Sequence, residues 1–152
     1  MDRSDVTAAA VINFAQELED RSASFYENLA ERFPQHKAVF LSFAENSRKN
    51  KVLIVRTYQE TITDAIEACF SFKDLKLNNY TVSPGVTEKT TYLDALEMAI
   101  QLEEEASKFY SEAAERCGSL LATIPRALRK ASEERKARKA KLESLSSSSN
   151  VR

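Results

Sequence analysis

Residues 18–30 read LEDRSASFYENLA, and residues 102–114 read LEEEASKFYSEAA. Set against each other at an offset of 84 (102 against 18), Leu18, Glu19, Phe25, Tyr26 and Ala30 recur as Leu102, Glu103, Phe109, Tyr110 and Ala114. Around the first copy, Val11, Ala15, Leu18, Ser22, Phe25, Leu29 and Phe33 follow one another at threes and fours. That spacing draws one stripe along an α-helix. The helix is expected from near Asp5 to Phe33, where Pro34 disfavours helical geometry in the residue before it.

Working outward, a second helix is expected over roughly Lys37 to Ile66, with Phe40, Phe43, Ile54 and Tyr58 on its stripe. Periodicity then fails over about 68–90, a stretch holding Asn78-Asn79 and Pro84-Gly85. So long a connection is uncommon unless it must cross the length of a bundle. A third helix opens at Thr91, with Asp94 as its capping partner, and ends near Gly118. Thr123-Ile124-Pro125 starts a fourth, since Pro is tolerated in a first turn. Ser146 to Ser149 and the residues after them read as a disordered tail, leaving one domain over 1–145. Two helix hairpins joined by one long crossover define an all-α, ferritin-like four-helix bundle.

Composition agrees. A chain of 152 residues with only two Gly and three Pro has few sharp turns, which favours long helices. Lys and Arg number 22 against 23 Asp and Glu, so global charge points to no nucleic-acid or membrane partner. The fourth helix is basic, but no aromatic residues interleave with its charges to stack on bases. Charge matching with the acidic first and third helices accounts for it. No apolar stretch reaches membrane-spanning length, and Met1 is not followed by a signal-peptide pattern. Cys69 and Cys117 form no Cys-x-x-Cys pair, which excludes a four-Cys metal module and fits two reduced thiols in a cytoplasmic protein.

Placed at 100° per residue, Glu19 falls inside the apolar arc of the first helix, while Glu17, Asp20, Glu27 and Glu31 fall outside. Glu103 does the same on the third helix, where Glu104, Glu105, Glu112 and Glu115 do not. A buried, unpaired carboxylate costs several kcal/mol, so each needs a cation, a donor or a proton. Two facing carboxylates suit a bridged metal pair, and they equally suit a polar core layer with Arg, Lys or Tyr. Tyr26 and Tyr110 follow two turns along the same face, as core residues whose hydroxyls need partners.

Glu19-x-x-Ser22-x-x-x-Tyr26 and Glu103-x-x-Ala106-x-x-x-Tyr110 resemble the Glu-x-x-Ala-x-x-x-Tyr signature of rubrerythrin-like proteins, and the resemblance runs from about residue 8 to 145. It implies one Glu from each of the first and third helices and Glu-x-x-His from each of the second and fourth. Such a set holds two irons for peroxide reduction or oxygen chemistry. A homodimer is also implied, and the apolar crossover stretch 68–72 would pack over the bundle or dock a second subunit.

This chain departs from that pattern. Ser47 and Asn50 stand where the second helix should carry Glu and His, and Ala106 replaces a further family Glu. On the fourth helix, anchoring on Ala131 gives Glu134-x-x-Ala137, and anchoring on Leu128 and Leu142 gives Arg135-x-x-Arg138. The single histidine, His36, opens the second helix as an exposed or capping residue, and the family's Cys₄ tail is absent. The candidate metal ligands are therefore Glu19, Glu103 and Glu134, for iron or another divalent cation. The expected protein is a bundle whose di-iron site is largely lost, non-catalytic or weakly metal-binding. The alternative is a metal-dependent oxidoreductase or peroxide scavenger working with those three carboxylates. In the arginine register, a guanidinium would pair with Glu19 and Glu103 and take the metal's place.

Overall fold

The computed structural model describes residues 6–61, 71–72, 77, 85–116 and 123–150. Four α-helices dominate them: α1 (Ala8–Arg32), α2 (Lys37–Thr61), α3 (Tyr92–Arg116) and α4 (Thr123–Asn150). The architecture is the all-α four-helix bundle expected. Cys69, Cys117, Asn78-Asn79, Gly118 and the expected end of the second helix at Ile66 lie outside the described residues.

α1 begins at Ala8, a turn later than the spacing suggests. Thr7 is extended and its hydroxyl accepts from the Ala10 N–H at 3.1 Å, so it caps the helix and relieves one of the unpaired first-turn donors. Extension at this end has a second cause. The two-residue strand β1 (Val6–Thr7) pairs antiparallel with β2 (Ser71–Phe72), Val6 opposite Phe72 and Thr7 opposite Ser71. This ladder ties the crossover to the head of α1. At the other end, the Phe33 N–H reaches the Leu29 carbonyl at 2.8 Å, and Pro34 opens a 3-10 turn over Pro34–His36.

α3 opens on the capping box expected: the Asp94 N–H donates to the Thr91 hydroxyl at 3.1 Å, and the Thr91 N–H to the Asp94 carboxylate at 3.3 Å. This end is pinned to the α1–α2 turn. Arg32 donates to the Glu88 and Thr90 carbonyls at 2.7 and 3.0 Å, and the His36 ring stacks on Tyr92 with centroids 4.0 Å apart. His36 is thus half-buried rather than exposed. α4 runs on to Asn150, through serines that composition reads as a tail. Extending an existing helix costs far less than starting one. Leu142 is buried and Leu145 packs on the core, so the helix still lies on the bundle just ahead of the serines.

α1 packs against α2 and α3 against α4, as two hairpins, with α2 lying against α4. Leu18, Leu29, Phe40, Leu96, Phe109 and Leu128 are buried between them. Each such side chain contributes about 1.5–3 kcal/mol through removal from water. Above and below one level this core is apolar. At that level it is charged.

Candidate functional site

The charged layer is built from all four helices. The apolar stripe of α1 carries Glu19 and Ser22 inward, and that of α3 carries Glu103, all three buried. α4 settles into the register anchored on Leu128 and Leu142, and Ala131 is buried in the same register. Arg135 and Arg138 therefore face the core at 0% and 4% exposure, values at which a charge must be paired. From α2 come Ser47 and Asn50, small and neutral, both buried.

Arg135 sits between the two carboxylates. One guanidinium nitrogen donates to Glu19 Oε1 at 2.7 Å and the other to Glu103 Oε1 at 2.9 Å. The nitrogen that reaches Glu19 also donates to the Ser22 hydroxyl at 3.0 Å, and Ser22 donates onward to the Leu18 carbonyl at 2.7 Å. Arg138 donates to Ser47 at 2.9 Å, to Glu103 Oε2 at 3.4 Å and to the Asn46 side-chain oxygen at 2.6 Å. Its guanidinium lies over the Phe43 ring, 5.9 Å from the centroid.

The tyrosines complete the layer crosswise. Tyr26 of α1 donates to Glu103 of α3, and Tyr110 of α3 donates to Glu19 of α1. Every carboxylate oxygen of the pair thus accepts at least one hydrogen bond. Burial pushes the Tyr26 hydroxyl well above its ordinary range, and the neighbouring Glu103 charge pushes it further. Tyr110 moves the same way, through burial and then the Glu19 charge. Both remain donors. Burial works against the Arg135 charge, but Glu103 and Glu19 outweigh it and hold the guanidinium protonated well above its ordinary value.

Two carboxylates and two guanidinium groups leave the layer with no net charge. The fit is close but not complete. Among the described residues, Arg135 Nε, Arg138 Nε and Asn50 Nδ2 are buried without a hydrogen-bond partner, each at a cost of about 1–3 kcal/mol.

Of the three candidate ligands, the structure brings Glu19 and Glu103 together and leaves Glu134 apart. Glu134 lies on the groove between α2 and α4 and accepts from the Asn46 amide at 2.9 Å. Among the described residues, no three His, Cys, Asp or Glu side chains gather as a metal ion would require. Sequence reasoning left Asn46 out. It joins Arg138 to Glu134, and only its place beside Ser47 could have marked it.

A bundle of two helix hairpins, each giving one inward glutamate and one tyrosine that crosses to the other, belongs to the class of ferritin-like carboxylate proteins. The family model of rubrerythrin matches residues 11–145, and the chain belongs to the rubrerythrin family. No curated protein and no solved structure matches the chain. No helix among the described residues is long and apolar enough to cross a membrane.

Proposed function

We propose that this chain is a rubrerythrin-family bundle that works without a di-iron centre, its two core arginines occupying the electrostatic place of the metal pair and its role exercised through its surface as a homodimer. The observation that carries this reading is Arg135, fully buried and bonded to both Glu19 and Glu103. The residues do not fit a di-iron group. Ser47 and Asn50 are neutral and weakly coordinating, and where a second Glu-x-x-His should stand are two permanent cations. A divalent ion entering between Glu19 and Glu103 would have to displace Arg135. The displaced guanidinium would then be buried beside like charge, which raises the free energy of the loaded state.

The alternative, a peroxide-scavenging oxidoreductase using Glu19, Glu103 and Glu134, requires Glu134 to leave Asn46 and the arginines to leave the core. The deciding experiment measures iron per chain after anaerobic loading. Wild type should hold no stoichiometric iron, and its thermal midpoint should not move with iron or chelator. Changing Glu19 and Glu103 together to Gln should lower that midpoint, again without a chelator effect. The variant Ser47→Glu, Asn50→His, Arg135→Glu, Arg138→His restores the family donor set and should gain about two irons. Stoichiometric iron in wild type, lost in Glu19→Ala with Glu103→Ala, would overturn the proposal.

A further inference from the structure

α2 leaves an unusual face to solvent. Among the described residues, the large apolar side chains left exposed are Leu41, Val52, Leu53 and Leu93. Three of these four lie on α2. A single exposed leucine is ordinary, but several on one helix face ask for a cover. Leu41, Glu45, Arg48, Lys49, Val52 and Leu53 are all exposed, whereas Phe40, Ala44, Ser47 and Ile54 turn to the core.

The order of these residues identifies the cover. Leu41, Glu45, Lys49 and Leu53 stand four apart and form one ridge of the helix surface. Both ends of the ridge are leucine, and its middle is one acid and one base. Read backwards it is Leu, Lys, Glu, Leu. A second α2 laid antiparallel on the first therefore sets Leu41 against Leu53, and Glu45 against Lys49. Arg48 and Val52 stand one residue off that pairing and fall beside Glu45 and Leu41 of the second copy. A twofold contact requires this self-complementarity, because one patch must bind itself reversed. A strongly acidic or basic partner would instead call for one sign of charge. The Glu45 and Lys49 side chains are 71% and 70% exposed and pair with each other at 3.5 Å, a contact weak enough to exchange for one across an interface.

We propose that the outer face of α2 is the interface of a homodimer, two copies packing antiparallel about a twofold axis near position 47. The inference deepens the homodimer in the proposed function and rests on it, but it is independent of the metal question. Sedimentation velocity of the full chain tests it over a range of concentrations. Wild type should sediment at twice the 17.1 kDa of one chain. Leu41→Lys with Leu53→Lys should be monomeric with an unchanged far-ultraviolet circular dichroism spectrum. Glu45→Lys should weaken association on the order of tenfold by facing like charges, and Glu45→Lys with Lys49→Glu should return it toward wild type. A wild type monomeric at every concentration would sink the homodimer and this face together. A dimer that survives both lysine substitutions would sink this face alone, and failure of the charge swap to rescue would sink the antiparallel register.

Discussion

The two hairpins repeat each other on one side and diverge on the other. α1 and α3 each present a buried glutamate and, two turns on, a tyrosine that crosses to the opposite glutamate. α2 and α4 share no such likeness: Ser47 and Asn50 answer Arg135 and Arg138. The difference shows how a symmetric demand is met by an asymmetric supply. Two carboxylates brought together need positive charge between them, and one helix provides all of it. Two arginines then fill volume that four equivalent side chains would otherwise share. The facing helix is left with room for a hydroxyl and an amide, and its Ser47 and Asn46 serve as acceptors for Arg138.

The sharpest way to break this arrangement is to remove the supply. Arg135→Met leaves Glu19 and Glu103 facing each other, and unfolding in urea should register a loss of about 3–5 kcal/mol, the scale for one partner taken from a buried ion pair. Arg138→Met should cost less, on the order of 1–3 kcal/mol, because Glu103 keeps Arg135. Equal losses in the two variants would mean that Arg135 does not bridge the glutamates.

The next effect separates the repeated halves. Glu103 Oε2 accepts from Tyr26 and Arg138, while Tyr110 is the partner of Glu19 Oε2 among the described residues. Tyr110→Phe should therefore cost about 1.5–3 kcal/mol, and Tyr26→Phe less. The same hydroxyls set an alkaline limit. Folding raises both above the ordinary value of 10.0, so the folded chain keeps protons that the unfolded chain releases. Their stabilisation is complete below about pH 10 and is lost as pH rises toward the folded values. Denaturation midpoints measured from neutral to strongly alkaline pH should fall above about pH 10, and less steeply once both tyrosines are Phe.

The smallest effect lies at the surface. Arg48 and Glu27 meet at 2.6 Å with half their side-chain area in water. Arg48→Ala should move stability by no more than about 1 kcal/mol, and less in high salt. A loss comparable to that in Arg138→Met would remove the contrast between exposed and buried pairs.

Most of the fold was legible because local signals agreed with one another. The offset between Glu19 and Glu103, the stop at Pro34, the Thr91–Asp94 box and Pro125 in a first turn all fall where the helices require. The inward direction of Glu19 and Glu103 was equally plain, since an apolar arc surrounds each. α4 was ambiguous for a physical reason: from Arg126 to Lys141 charges occupy most positions, so no arc stands out. The deciding signal lay in residues that do not look like core. Ile124, Leu128, Ala131, Arg135, Arg138 and Leu142 step by four, three, four, three and four, one unbroken stripe once arginine is admitted to it. The late start of α1 was only half readable: Thr7 is a local capping signal, but the ladder that extends the chain there involves residues far along it.

The crosswise tyrosines have a consequence for how the chain comes apart. Cut between α2 and α3, the first hairpin would hold Glu19 with neither its hydroxyl donor nor its cation. The second would hold Glu103 with one guanidinium too many. Neither piece satisfies its own interior, so half the molecule offers no resting place on the way to disorder. Opening should therefore be a single event shared by both hairpins, and neither hairpin expressed alone should fold.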